Sequence, residues 1–189
     1  MQNIKSHLIK AFASVVCITV VSGFLLGNTS HAKTAKEIDV GVDVSLDRFR
    51  KEVKGAEEFL KSAKGVLILP GVIKGGFVFG AEYGEGALRI EGKTVDYYST
   101  AAGSYGFQIG AQKKDIILVF MQDEALNKFR ESSGWKAGVD GSVALVDLGA
   151  GTSWDTVRIK EPIVGFIFGQ KGLMFNLTLE GSKFTKLKK

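Results

Sequence analysis

Side chains able to do nucleophilic, acid–base or metal chemistry are scarce here and crowded at one end. The single Cys and both His, namely Cys17, His7 and His31, fall within the first 32 residues. In that stretch Lys5 and Lys10 precede an uncharged run from Ala11 to Leu26, and Ser30-His31-Ala32 sets small residues at the −3 and −1 positions of a cleavage point. This is the three-part pattern of a secretory signal, and the run is short for a membrane span of about 20 residues. Cys17 follows Val15-Val16 and lies inside the apolar run, so it reads as filler and not as a lipidation site. Removing residues 1–32 leaves about 157 residues with neither Cys nor His. That excludes a thiol nucleophile, an imidazole base, a Ser-His-Asp triad, a His/Cys zinc site and any internal disulfide.

The ionisable groups that remain suggest binding and no catalysis. Glu82 and Glu85 are close in sequence, but they read as part of a polar turn without an acid–base partner. Lys74-Gly75-Gly76 places a cation beside two backbone amides, a turn able to hold a phosphate oxygen. It lacks the spacing and the trailing Lys-Ser/Thr of a P-loop. Lys113-Lys114 reads as a basic turn between strands, and Arg89 ends a strand where it can meet an anion or pair with Glu85 or Glu91. The tail carries Lys183, Lys186, Lys188 and Lys189 with Phe184 and Leu187 interleaved. Near an anionic surface each such Lys is worth about 1 kcal/mol. The candidate lipid-contacting set is therefore Lys74, Gly75, Gly76, Arg89, Lys113, Lys114, Lys183, Lys186, Lys188 and Lys189. Tyr83, Tyr97, Tyr98, Tyr105, Trp135 and Trp154 read mainly as core or sheet-face residues. No metal, cofactor or enzymatic activity is expected.

Charge supports the same class. The chain carries 25 basic and 20 acidic side chains, and the signal contributes two Lys of that excess. The mild surplus left over does not describe a nucleic-acid binder, but it suits weak attraction to anionic lipid.

These residues need a scaffold. Lys33 to about Asp43 reads as a polar, mobile leader. Leu46, Phe49, Val53, Ala56 and Leu60 then recur at helical spacing, which predicts an amphipathic helix over 45–63, capped by Asp43 or Ser45. Beyond Gly65, short β-branched and aromatic runs alternate with Gly. Strands are expected over 66–69, 74–81, 86–91, 94–99, 104–112, 115–121, 135–146, 153–158, 163–169 and 172–179. A short helix is expected over 124–131, capped by Asp123. Gly76-Phe77-Val78-Phe79-Gly80 recurs as Gly106-Phe107-Gln108-Ile109-Gly110 and Gly165-Phe166-Ile167-Phe168-Gly169, with a weaker copy at Gly134-Trp135-Lys136-Ala137-Gly138. A repeat of this kind suggests a hairpin unit whose glycines share one strand face and whose bulky residues share the other. The fold class expected is α+β: a strongly curved, mainly antiparallel sheet or barrel-like core, a flanking N-terminal amphipathic helix and one short helix.

From Ala63 onward the residues resemble a known family. Ala63-Lys64-Gly65-Val66-Leu67-Ile68-Leu69-Pro70, Lys74 to Gly80, Gly84 to Arg89, Gly103 to Gln112 and Asp115 to Met121 match, in order and spacing, the SYLF domain, also called the actin-patch or DUF500-type domain. The resemblance covers about residues 45–180. It implies a domain at 45–182 (helix 45–63, β-rich core 65–180), preceded by a signal at 1–32 and a leader at 33–44 and followed by a basic tail at 183–189. It also implies a non-catalytic module. Eukaryotic members bind membrane phosphoinositides and some bind actin, often fused to Src-homology 3 or FYVE modules. The expected partner is anionic phospholipid or a membrane surface, with an envelope protein as the alternative and nucleic acid excluded. Actin is not expected if the source is bacterial. The expected location is periplasmic or secreted, with peripheral membrane association.

Overall fold

The computed structural model describes residues 32–76, 79–105, 110–146, 160–172, 178–179 and 181–189. The predicted signal, the predicted strand at 153–158, most of that at 172–179, and Trp154 lie outside the described residues.

The first helix starts earlier than its apolar stripe suggested. Helix α1 spans Ala35–Glu52, and Thr34 caps it through a reciprocal capping box with Glu37. The expected leader is thus corrected: its second half is helix, because Ile38 and Val42 extend the stripe of Leu46 and Phe49 backward and are buried with them. The predicted single helix is two. The chain breaks at Val53-Lys54-Gly55, and α2 runs over Ala56–Ser62.

The strands are β1 (Gly65–Gly76), β2 (Phe79–Ile90), β3 (Lys93–Tyr105), β4 (Gly110–Phe120), β5 (Trp135–Lys136), β6 (Ala144–Val146), β7 (Ile163–Gly172) and β8 (Lys183–Leu187), with helix α3 (Asp123–Glu131) after β4. They form one sheet in the order β5-β8-β3-β2-β1-β4-β7-β6, antiparallel except for the β6–β7 pair. The sheet curls into a half-barrel, so the expected α+β class with a strongly curved sheet is the observed one. Lys33–Lys189 make up one compact unit by themselves.

Several local expectations change. Lys74-Gly75-Gly76 is not a turn: all three residues sit in the β1 ladder opposite β2 and β4, so their amides serve the sheet. The break in β1 falls instead at Pro70-Gly71, where both registers shift and Gly71 adopts a left-handed φ of 63°. Lys113-Lys114 is likewise within β4, and residues 183–187 of the tail are a strand beside β3. The glycine repeat is not one unit. Gly76 pairs with Gly80, so the first copy spans the passage from β1 to β2, while the third lies along β7 and ends at a bulge, where Gly169 adopts a left-handed φ of 62°. In that third copy Phe166 and Phe168 share the helical face and pack edge-on or tilted against Phe49, but the two glycines do not share the other: a Cβ at Gly165 would meet Leu145 and Leu179, and one at Gly169 would meet Arg48 and Asp115 on the helical side.

Two cores result, one on each face of the sheet. On the helical face, α1 and α2 bury Val66, Ile68, Ile117, Val119, Val164 and Phe166. On the other, α3 and the chain's returning segments cover Leu67, Leu69, Leu88, Tyr98, Ile116 and Leu118, with Phe129, Trp135 and Phe184 in ring contact. The two helical-face helices reach only part of the way along the strands. A polar clasp fixes their limit: Asp115 accepts hydrogen bonds from Arg48 at 2.7 Å, Ser45 at 3.2 Å and the Gly71 amide at 2.8 Å.

Candidate membrane-facing surface

Beyond Asp115, toward the Gly76–Gly80 end, no described helix or strand covers the helical face of the sheet. Strand alternation sends Ile73, Phe79, Ala81, Tyr83, Ala101, Gly103 and Ala111 outward there, and each is exposed. Ile73 is 59% exposed, Phe79 73% and Tyr83 52%. Gly75 pairs with Ala111 and Ala81, and Ala81 with Gly103, so one cross-strand row consists only of small residues. Among the described residues, only small side chains project from that row.

The row that borders it is basic at both ends. Reading directly across the sheet through cross-strand partners gives Lys171, Lys113, Ile73, Tyr83, Ala101, Lys183 and Lys136. Lys113 stands opposite Lys171, and Lys136 opposite Lys183. Like charges in such positions are destabilising. All four are exposed, and no side-chain ion pair joins any of them among the described residues. With strands about 4.8 Å apart, the two lysine pairs flank the apolar centre at a spacing of roughly 20 Å. A cleft of about 470 Å³ runs along the flank of α1, lined by Lys33, Glu37, Arg48, Ile73, Lys113, Asp115 and Lys171 among others.

The sequence-predicted site residues divide sharply. Lys113 and Lys183 belong to this row, and Gly75 lies in the neighbouring row of small residues. The others point elsewhere. Lys114 is buried and bridged to Glu82 at 2.9 Å, and Lys74 is buried on the opposite face. Arg89 pairs with Asp43 at 2.7 Å at the far end of the sheet. Lys186 pairs with Asp96 at 2.6 Å. Lys189 bonds Glu85 at 3.2 Å and the Lys33 carbonyl. Lys188 is exposed outside the row, and Gly76 sits at the hairpin end. Glu82 and Glu85, expected in a turn without partners, are buried strand residues with partners: Lys114 for the first, Lys189 and the Tyr83 hydroxyl for the second. Burial of the Tyr83 hydroxyl, with the Glu85 contact, pushes its pKa up to about 12, so Tyr83 adds no negative charge to the surface at neutral pH.

Lys136 and Lys171 carry no signal in the sequence. Each is a lone Lys in its segment, and only the register brings it beside another. Among the described residues no group of three or more His, Cys, Asp or Glu is placed to hold a metal ion. No described helix is long and apolar enough to cross a membrane.

Residues 101–189 match the family model described as Ysc84, the Las17-binding protein actin regulator, and the last two motif segments, 103–112 and 115–121, fall inside this stretch. The chain is also similar to SH3 domain-containing YSC84-like protein 1 from Homo sapiens, at 29% identity over 128 residues, covering 65% of this chain and 37% of that protein. The Xenopus laevis protein of the same name is 27% identical over 128 residues, covering 65% and 38% respectively. The chain thus spans less than two-fifths of the length of these relatives.

Proposed function

We propose that this domain is a non-catalytic module that docks on anionic phospholipid through the helical face of its sheet beyond Asp115, at the cell envelope, after a signal at residues 1–32 has directed export. The observation that carries this reading is the pairing of Lys113 with Lys171 and of Lys136 with Lys183. Two like-charged pairs held side by side are a liability in the free protein and an asset against phosphates. The exposed Phe79 and Tyr83 supply apolar and amphipathic contact beside them, as aromatic side chains do at membrane interfaces. From the family and its relatives only the binding-module class is carried over. The Las17 binding and actin regulation in the family description are not carried over to this chain, since actin does not suit the envelope of a bacterial source.

The test is vesicle flotation of residues 33–189 with phosphatidylcholine alone and with added phosphatidylglycerol, at low and at high salt. Binding should require the anionic lipid and fall as salt rises. Phe79→Ser with Tyr83→Ser should weaken it without unfolding the protein. A folded protein that floats with neither vesicle refutes the proposal, and retention of an envelope protein after lipid removal would then favour a protein-docking surface.

A further inference from the structure

The opposite face of the same strands holds a second feature. There Gln112, Lys74 and Glu82 are direct cross-strand neighbours on β4, β1 and β2. Gln112 is 2% exposed, and Lys74 and Glu82 are each 6% exposed. Lys114, further along β4, reaches across β1 to bridge Glu82 at 2.9 Å. The long side chains therefore converge over β1. Thr100, fully buried, faces the same side from β3.

This cluster is unfinished. Both amide atoms of Gln112, the Thr100 hydroxyl and Glu82 Oε1 are buried without a hydrogen-bond partner among the described residues. Lys74 has neither an ion pair nor a side-chain hydrogen bond among the described residues. Two ammonium groups face one carboxylate. Buried polar groups are almost always paired, and a buried uncompensated charge is expensive. A set of this kind is completed by something that enters it.

The open positions specify that guest. Lys74, the Gln112 amide nitrogen and the Thr100 hydroxyl are donors that want anionic oxygens. Glu82 Oε1 and the Gln112 carbonyl oxygen are acceptors that want a proton. One small group offers both: a phosphate that keeps one hydrogen. We propose that Lys74, Gln112, Thr100 and Glu82 form a binding site for a singly protonated phosphate, either inorganic phosphate or a phosphomonoester. Glu82 would select it over sulfate, because sulfate has no proton at neutral pH and would set an anionic oxygen against a carboxylate. The site uses the other face of the sheet, so it does not rest on the membrane-docking reading.

Calorimetric titration of residues 33–189 at fixed ionic strength and about pH 6, where a phosphomonoester as well as inorganic phosphate keeps a proton while sulfate has none, tests this, with inorganic phosphate, glycerol 3-phosphate and sulfate as probes. Phosphate and glycerol 3-phosphate should bind, and sulfate should bind at least about tenfold more weakly, the factor expected of one charged hydrogen bond. Lys74→Met fills a similar volume without charge and should abolish phosphate binding while leaving the fold intact by circular dichroism. Gln112→Leu should weaken it. Lys113→Glu with Lys183→Glu, on the outer face, should leave it unchanged. Vesicles carrying phosphatidic acid, a monoester, against phosphatidylglycerol, a diester, separate the sources. A Lys74-dependent preference for phosphatidic acid assigns the phosphate to a lipid headgroup, and its absence beside retained phosphate binding assigns it to a soluble ligand. The proposal is overturned if phosphate and sulfate bind equally, if neither binds, or if folded Lys74→Met binds as the parent does.

Discussion

The lysine row makes a prediction with two opposite signs. Consider Lys113→Glu combined with Lys183→Glu. Each Lys at an anionic surface contributes about 1 kcal/mol, so each reversal removes about 2 kcal/mol and the pair about 4 kcal/mol. Membrane affinity should drop by about 10³-fold. Stability should move the other way. The carboxylate introduced at position 113 would face Lys171, and the one at position 183 would face Lys136, converting two like-charged cross-strand pairs into attractive ones. Such pairs differ by roughly 0.2–1 kcal/mol each. The variant should therefore unfold at a slightly higher denaturant concentration while binding vesicles far less. The control is Lys51→Glu with Lys54→Glu, the same change in net charge at exposed positions near the break between the helices. Vesicle sedimentation and urea titration of the parent and both variants suffice. If the control loses as much affinity as the row variant, net charge alone is at work and the row has no special part. If stability and binding fall together, the lysines are structural and the reasoning is wrong.

Other expected outcomes rest on packing and burial. A Cβ at Gly86 would lie 1.9 Å from the Ile68 carbonyl oxygen, so Gly86→Ala should cost at least about 3 kcal/mol by thermal unfolding, whereas Gly103→Ala, with nothing within 4 Å, should stay within about 0.5 kcal/mol. Tyr98 is buried with an unpartnered hydroxyl, and burial, helped by Asp96, pushes its pKa up to about 12. Between pH 10 and 12 the unfolded chain releases this proton and the folded one keeps it, so stability should fall by about 2–3 kcal/mol across that window. Tyr98→Phe should remove its share of the decline, leaving that of Tyr83, whose pKa is likewise raised to about 12, without lowering stability at pH 7. Asp115→Ala leaves the buried Ser45 hydroxyl and the Gly71 amide without their acceptor and should cost about 3 kcal/mol, with faster amide exchange in α1 before the β1–β4 ladder.

Legibility in the sequence followed the range of the interaction. The fold class was readable because Gly-punctuated β-branched runs and one apolar helical stripe are local patterns. The start of α1 was also local, in Thr34 and Glu37 three residues apart, yet the sparse apolar residues after Thr34 hid it. What escaped reading was register. Lys74 and Lys113 look equivalent as basic residues beside small or polar ones, but one sits within the protein and the other at its surface, because the Gly71 bulge and strand alternation decide the face. Lys136 and Lys171 acquire meaning only opposite Lys183 and Lys113, pairings made by strands distant in sequence. Counting lysines finds charge and cannot find a row.

The strand order bears on how this chain reaches its native state. β8 inserts between β3 and the short β5, and Phe184 completes the ring cluster around Phe129 and Trp135. That core face cannot close until residues 183–187 are available. The hairpins β1–β2 and β2–β3 are local in sequence, whereas seating β8 against β3 closes a long loop, the kind of contact that slows folding. A polypeptide emerging N-terminus first, from a ribosome or through a pore, would therefore keep that core face open until β8 emerged.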